Sequence, residues 1–216
     1  MNADFEPGAG RRRPDRAVLL AHGAGADRNA RPLVATAEAL AAAGIPSLRF
    51  DFPYRAAGRR APDRPPVLLQ AVRDAAVDLS DRTGLPQDRL VLGGRSMGGR
   101  YCSLAVGDPE DPLEALGVLL LGYPLHPAGK PDNLRVEHFP RLKVPVLFLS
   151  GDRDALAGKP DLEKWAGTIP GRVDFHWLAG GDHGFRVPKS RGGKGEAAVL
   201  AEVADVSARW VAGLRV

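Results

Sequence analysis

The chain is 216 residues long, with 44% hydrophobic and 26% charged residues and a formal net charge of +4. That is one domain's worth of chain with enough apolar content for a continuous core. No apolar run reaches the roughly 18–20 residues of a bilayer-spanning helix, so disorder, a second domain and membrane insertion are disfavoured. A single cysteine, Cys102, excludes an intrachain disulfide and a cysteine-built zinc site.

The elements follow in chain order. Met1 to Arg16 is basic without the apolar stretch of a secretory signal, so residues 1–15 read as a flexible lead to a single domain over 16–216, and the chain as cytoplasmic. Ala17–Ala21 reads as a short buried strand, and Leu33, Ala37, Leu40 and Ala41 repeat at helical spacing up to Gly44. Ser47–Phe52 is a second strand, and Tyr54 to Pro66, dense in Arg, Gly and Pro, is a loop. Behind the Pro65-Pro66 start signal, Leu68, Val72, Ala75, Ala76 and Leu79 mark a helix that stops before Gly84. Leu90–Gly94 is a strand, and a helix begins just after Ser96. Gly117–Tyr123, Pro145–Ser150 and Val173–Leu178 complete the strands, with a proline-rich loop over Pro124 to Pro140. The last helix, Glu196 to Leu214, lines up Val199, Val203, Val206, Trp210 and Leu214 on one face.

Alternating strands and helices with short links predict an α/β architecture: a minimal open parallel sheet of about six strands, helices on both faces, and right-handed crossovers. Both loops follow a strand directly, at the carboxyl ends where the ligand crevice of such a sheet opens, and they frame its mouth. No long insertion separates Tyr123 from Pro145, so no lid domain is expected. The 30 basic residues are mostly scattered arginines. Their two clusters, Arg11-Arg12-Arg13 with Arg16 and Arg55 with Arg59, Arg60 and Arg64, lack interleaved aromatics or a helix-turn-helix pattern. They read as solvated surface, with no nucleic-acid partner.

The chemistry lies in Gly94-x-Ser96-x-Gly98, between a strand and a helix. This is the nucleophile-elbow pattern: the turn is tight enough to require glycine at both offsets, and it projects Ser96 Oγ into the crevice at a helix N-terminus. A serine hydroxyl needs a base that titrates near neutral pH, which means histidine. Among five histidines, His183 lies in Gly180-Gly181-Asp182-His183-Gly184, after the last strand and able to hold a ring over the crevice. His22 reads as a structural hydrogen bonder, His176 as a strand residue facing a helix or solvent, His138 as loop surface, and His126 as an open pocket candidate. The carboxylate that orients the imidazole should end a neighbouring strand. Asp152 and Asp154 both qualify; Asp154, beyond the tight bend, is the better placed, while Asp182 reads as a turn former. Oxyanion donors are the backbone amides of Met97, beside the nucleophile, and Ala24, in the His22-Gly23-Ala24-Gly25 turn. Tyr54, Arg55, Arg95 and Lys130 fall near strand ends and are candidates to attract a carboxylated substrate.

The strings LLAHGAG, LRFDFPYR, LGGRSMGGR, LGYPLHPAGKP, LFLSGDRDAL and GDHGF, spread from residue 19 to 185, resemble the α/β-hydrolase family in its dienelactone-hydrolase-like branch. They are most similar to the group named after testis-expressed protein thirty and the third subunit of the NSL chromatin complex. The resemblance implies an α/β-hydrolase sheet and a triad of Ser96, Asp154 and His183, and its chromatin-associated member implies that some relatives act as interaction subunits. True dienelactone hydrolases carry cysteine at the nucleophile position, so their substrate does not carry over. The expected activity is hydrolysis of a small ester or thioester through an acyl-enzyme, without cofactor or metal. Acyl transfer to another acceptor and a non-catalytic binding module are the alternatives.

Overall fold

The computed structural model describes residues 2–10, 13–188 and 195–216; Arg11 and Arg12 of the first basic cluster lie outside them. Runs of branched apolar residues without polar alternation suit strands covered on both faces. They form β2 (Ala17–Ala21), β3 (Ser47–Phe50), β4 (Leu90–Arg95), β5 (Gly117–Leu121), β6 (Val146–Gly151) and β7 (Val173–Leu178), after a short β1 (Ala3–Glu6). The sheet has seven strands in the order β1-β3-β2-β4-β5-β6-β7, with β1 antiparallel and the others parallel.

The helices are α1 (Arg31–Ala42), α2 (Pro53–Ala56), α3 (Pro65–Thr83), α4 (Met97–Val106), α5 (Lys159–Ala166) and α6 (Glu196–Ala212). Leu33 and Leu40 of α1 and Val199, Val203 and Val211 of α6 pack on Val18, Leu20, Leu119 and Leu149 on one sheet face. Leu68, Val72 and Leu79 of α3, Tyr101 and Cys102 of α4 and Leu162 of α5 cover Leu19, Leu92, Leu120 and Phe148 on the other. No helix among the described residues is long and apolar enough to cross a membrane.

Topology sets where a site forms. From β2 the chain crosses through α1 to β3 on one side, then returns through α3 to β4 on the other, so β2 and β4 are neighbours whose connections diverge. The carboxyl ends of two such strands leave an uncovered crevice. Between β5 and β6 the described chain holds loop and one 3-10 turn, Phe139–Arg141.

Four expectations change. The segment over 1–15 is not simply a flexible lead, and the sheet gains a seventh strand: residues 3–6 pair with β3, with Ala3 opposite Phe50 and Glu6 opposite Ser47. Four half-buried residues carry too little hydrophobic pattern to announce a strand. What fastens them comes from elsewhere in the chain, as Arg28 Nε reaches Asp4 Oδ2 at 2.9 Å and Phe5 packs on the core. The Tyr54 to Pro66 stretch opens with one helical turn, α2. Arg16 is buried rather than solvated: its Nη1 donates to the carbonyls of Val211, Ala212 and Leu214 at 2.9, 3.0 and 2.8 Å, satisfying acceptors left open at the end of α6. Helix α5 sits in a stretch where no helix was expected.

Candidate active site

Strand β4 enters the crevice and turns at once into α4, leaving Ser96 between them at φ 49° and ψ −114°. A non-glycine residue in this region is strained by about 1–3 kcal/mol, and it persists only where neighbours fix it. Here the fixing is by close approach. A Cβ at Gly98 would lie 2.2 Å from Ala21 O and 2.6 Å from His22 O, so the first turn of α4 rests against the end of β2 only because residue 98 lacks a side chain. The Ser96 amide donates to Leu121 O at 3.0 Å, setting the turn level with the end of β5.

Ser96 Oγ lies 2.9 Å from His183 Nε2, and His183 Nδ1 lies 2.7 Å from Asp154 Oδ2. An ionised carboxylate only accepts, so Nδ1 carries the ring proton and donates it to Asp154, leaving Nε2 to accept from the Ser96 hydroxyl. The Asp154 side chain is fully buried, and its other oxygen accepts the Leu156 amide at 2.8 Å. Asp152 instead accepts the Gly180 amide at 2.8 Å, and Asp182 accepts the amides of Gly184 and Arg186 at 2.8 and 2.9 Å, so both are turn formers. Of the two carboxylates open at the end of β6, Asp154 is the one that meets the histidine.

His22 is held on both sides. Its Nδ1 donates to Gly23 O at 2.8 Å, and its Nε2 accepts the Phe52 amide at 3.1 Å. Burial holds its pKa below the usual histidine value, which keeps it neutral. It therefore braces the turn Gly23 to Ala26, closed by the Ala26 amide on Gly23 O at 3.2 Å, in which Ala24 is exposed. A Cβ on Gly23 would sit 3.5 Å from Ser96 Cβ, so this turn borders the serine directly.

A family model described as an alpha/beta hydrolase domain matches residues 14–212. The chain belongs to the α/β-hydrolase family. Solved members of similar shape include a dienelactone hydrolase from Anabaena variabilis, 22% identical with TM-score 0.72, covering 99% of this chain and 92% of that one. An α/β serine hydrolase homologue from Coxiella burnetii is 15% identical with TM-score 0.72, covering 96% and 89%. Est1E from Butyrivibrio proteoclasticus, solved with ferulic acid bound, is 17% identical with TM-score 0.71, covering 98% and 95%. At these identities the likeness is one of fold.

Within this α/β-hydrolase crevice the expected pocket residues do not converge. Tyr54 is fully buried with its ring 5.8 Å from that of His22, and its hydroxyl has no hydrogen-bond partner among the described residues. Arg95 is half-buried and its donors are taken up: its guanidinium donates to the backbone oxygens of Leu121, Gly122 and His183. Arg55 is half-buried against Asp27 at 3.5 Å. His126 is half-buried, its Nδ1 donating to Pro127 O at 2.9 Å and its amide to Leu156 O at 3.3 Å, beside the Asp154 turn. Lys130 is exposed in the turn that starts at Pro127. Strand-end position gave the level of these residues in the sheet but not the direction of their side chains.

His138 is also corrected. It is fully buried rather than on the loop surface, with Nε2 2.8 Å from Ser103 Oγ of α4 and Nδ1 without a hydrogen-bond partner among the described residues, 4.0 Å from Glu137 Oε1. Burial, with the nearby Arg100 and Arg141 cations, pulls its pKa down to about 3. His176 Nε2 lies 2.9 Å from Glu202 of α6, so it faces a helix. Cys102 is buried, its thiol donating to Gly93 O at 3.2 Å, and burial pushes its pKa up, which removes it as a nucleophile. Among the described residues no group of three or more His, Cys, Asp or Glu is gathered as a metal site would require. The residues missed in the sequence are Leu156, whose amide fixes Asp154, and Phe52, whose amide fixes His22. Both act through the backbone, which side-chain patterns do not record.

Proposed function

We propose that the chain is a serine hydrolase cleaving a small ester or thioester through an acyl-enzyme. The observation that carries this reading is the unbroken contact chain from Ser96 Oγ through the His183 ring to a buried carboxylate, Asp154. Ser96 Oγ attacks the acyl carbon while its proton passes to His183 Nε2. The leaving alkoxide or thiolate takes that proton as it departs. Water then attacks the acyl-enzyme, gives a proton to the same nitrogen, and Ser96 leaves reprotonated. Asp154 keeps the ring in the productive tautomer and stabilises the imidazolium.

The developing oxyanion needs donors already in place, each contributing about 3–4 kcal/mol. The Met97 amide, first in α4 and without an intrahelical acceptor, supplies one, and the Ala24 amide of the bordering turn supplies the other. With only loop and a 3-10 turn between β5 and β6, the crevice suits short, flexible acyl groups. Of the groups expected to attract a carboxylated chain, Arg55 and Lys130 keep accessible surface, while the half-buried Arg95 guanidinium is taken up by backbone carbonyls, so a carboxylated ester should outpace its neutral analogue at low salt and lose that advantage at high salt. Within the family, the six sequence blocks favour the testis-expressed-protein-thirty and NSL-subunit group.

Turnover of p-nitrophenyl acetate tests the reading. Release of p-nitrophenol that disappears in Ser96→Ala is expected, and a rate unchanged by that substitution would overturn it.

A further inference from the structure

Arg95 stands between the glycine and the serine of the elbow, and its side chain is used in an unusual way. Among the described residues it makes no ion pair. Its Nη1 donates to Leu121 O at 3.2 Å and Gly122 O at 3.4 Å, and its Nη2 donates to His183 O. The guanidinium carbon lies 4.7 Å over the ring of Phe185, a buried residue at φ 63°. Room for it exists because residue 122 is glycine: a Cβ there would lie 2.6 Å from Nη1. Desolvation lowers the Arg95 pKa to about 10, which still leaves it charged at neutral pH, with Asp154 and Asp182 as the opposing charges nearby.

Desolvating a half-buried cation that has no bonded carboxylate is costly, and a fold that needed only a loop tie would use a neutral donor. A guanidinium has a property that a neutral donor lacks: several donors in one rigid plane, able to hold carbonyls from different segments in a fixed relation. The three segments here are the end of β5, the turn after it and the histidine turn. The Ser96 amide is bonded to Leu121 O, the same carbonyl that Arg95 holds. One side chain thus references the backbone of His183 to the strand end that carries Ser96.

We infer that Arg95 is a positioning residue for the proposed reaction: it fixes the His183 backbone at the height where the ring meets Ser96 Oγ and Asp154 together. This rests on the serine-hydrolase reading. A displacement of about 1 Å at such a site lowers the rate about 100-fold, which makes one hydrogen-bonding side chain consequential.

The test is a double-mutant cycle on p-nitrophenyl acetate hydrolysis, run well below the unfolding temperature of each variant. Arg95→Met should lower kcat by about 10- to 100-fold with KM changed less than about threefold, and Arg95→Lys should recover part of the loss. In a His183→Ala background the same Arg95→Met substitution should change the residual rate by less than about twofold, because the group it positions is gone. Equal losses in both backgrounds, or an Arg95→Met variant with wild-type kcat, would overturn the inference. Should Arg95→Met not fold, Arg95→Lys and Arg95→Gln carry the same cycle. The low-field NMR resonance of the His183 Nδ1 proton gives a readout independent of turnover. Broadening or loss of this signal in the folded Arg95 variant supports the positioning role, and an unchanged signal refutes it. Absence of Ser96-dependent turnover in the wild type would remove the hydrolase reading alone, leaving the resonance to decide the role of Arg95.

Discussion

Acidification from about pH 7 to about pH 5 should weaken this fold by about 2 kcal/mol through His138 alone. The ring is fully buried, Nδ1 has no hydrogen-bond partner among the described residues and lies 4.0 Å from Glu137 Oε1, and burial with the Arg100 and Arg141 cations lowers its pKa from 6.5 to about 3. A histidine with a depressed folded pKa contributes stability that is complete above the unfolded value and is lost as pH falls below it, because the unfolded chain takes up the proton that the native state refuses. Between pH 7 and pH 5 the unfolded ring goes from about one-quarter to nearly fully protonated while the folded ring stays neutral. At about 1.36 kcal/mol per pH unit of full difference, the integral is about 2 kcal/mol. The assay is urea unfolding at both pH values for the wild type and His138→Gln, which keeps a donor toward Ser103 but cannot titrate. His22, lowered in the same direction, contributes to both proteins and cancels in the comparison. The wild type should lose about 2 kcal/mol more than the variant; equal losses would refute the assignment.

Two substitutions separate the carboxylates after β6. Asp154→Asn removes the acceptor of His183 Nδ1–H and should lower kcat by about 10³–10⁴-fold, measured by ester hydrolysis at saturating substrate. Asp152→Asn perturbs only the bond to the Gly180 amide, so kcat should stay within about tenfold and stability should fall by about 1 kcal/mol in urea unfolding. Gly98→Ala should cost more than about 3 kcal/mol, or prevent folding, since its Cβ would lie 2.2 Å from a backbone oxygen with no flexible side chain to yield. Thermal unfolding and soluble yield report it.

Six parallel strands and the elbow were legible because each is a local pattern tied to a physical demand. Ala17–Ala21 and Leu90–Leu92 are apolar on both faces because helices cover both, and Gly94 and Gly98 flank Ser96 because the turn leaves no space there. The pairing of His183 with Asp154 was legible from strand order, since both follow adjacent strands of a parallel sheet. β1 was not, because its stability lies in contacts to Arg28 and to the core made from distant sequence. His138 was misjudged for a related reason: the proline-rich stretch has no periodicity, and the hydroxyl that the ring meets belongs to α4, distant in sequence. Tyr54 and Arg95 show the remaining limit. Closeness to a strand end in sequence does not distinguish a side chain free to meet a ligand from one taken up by backbone carbonyls, as Arg95 is by Leu121 O and His183 O.

The central claim is that Ser96 is a nucleophile activated by His183. Intact-protein mass spectrometry after exposure to a fluorophosphonate probe tests it most directly. One covalent adduct is expected, mapped to Ser96, absent in Ser96→Ala and formed far more slowly in His183→Ala. No adduct on the folded wild type, or an adduct that persists in Ser96→Ala, would contradict it.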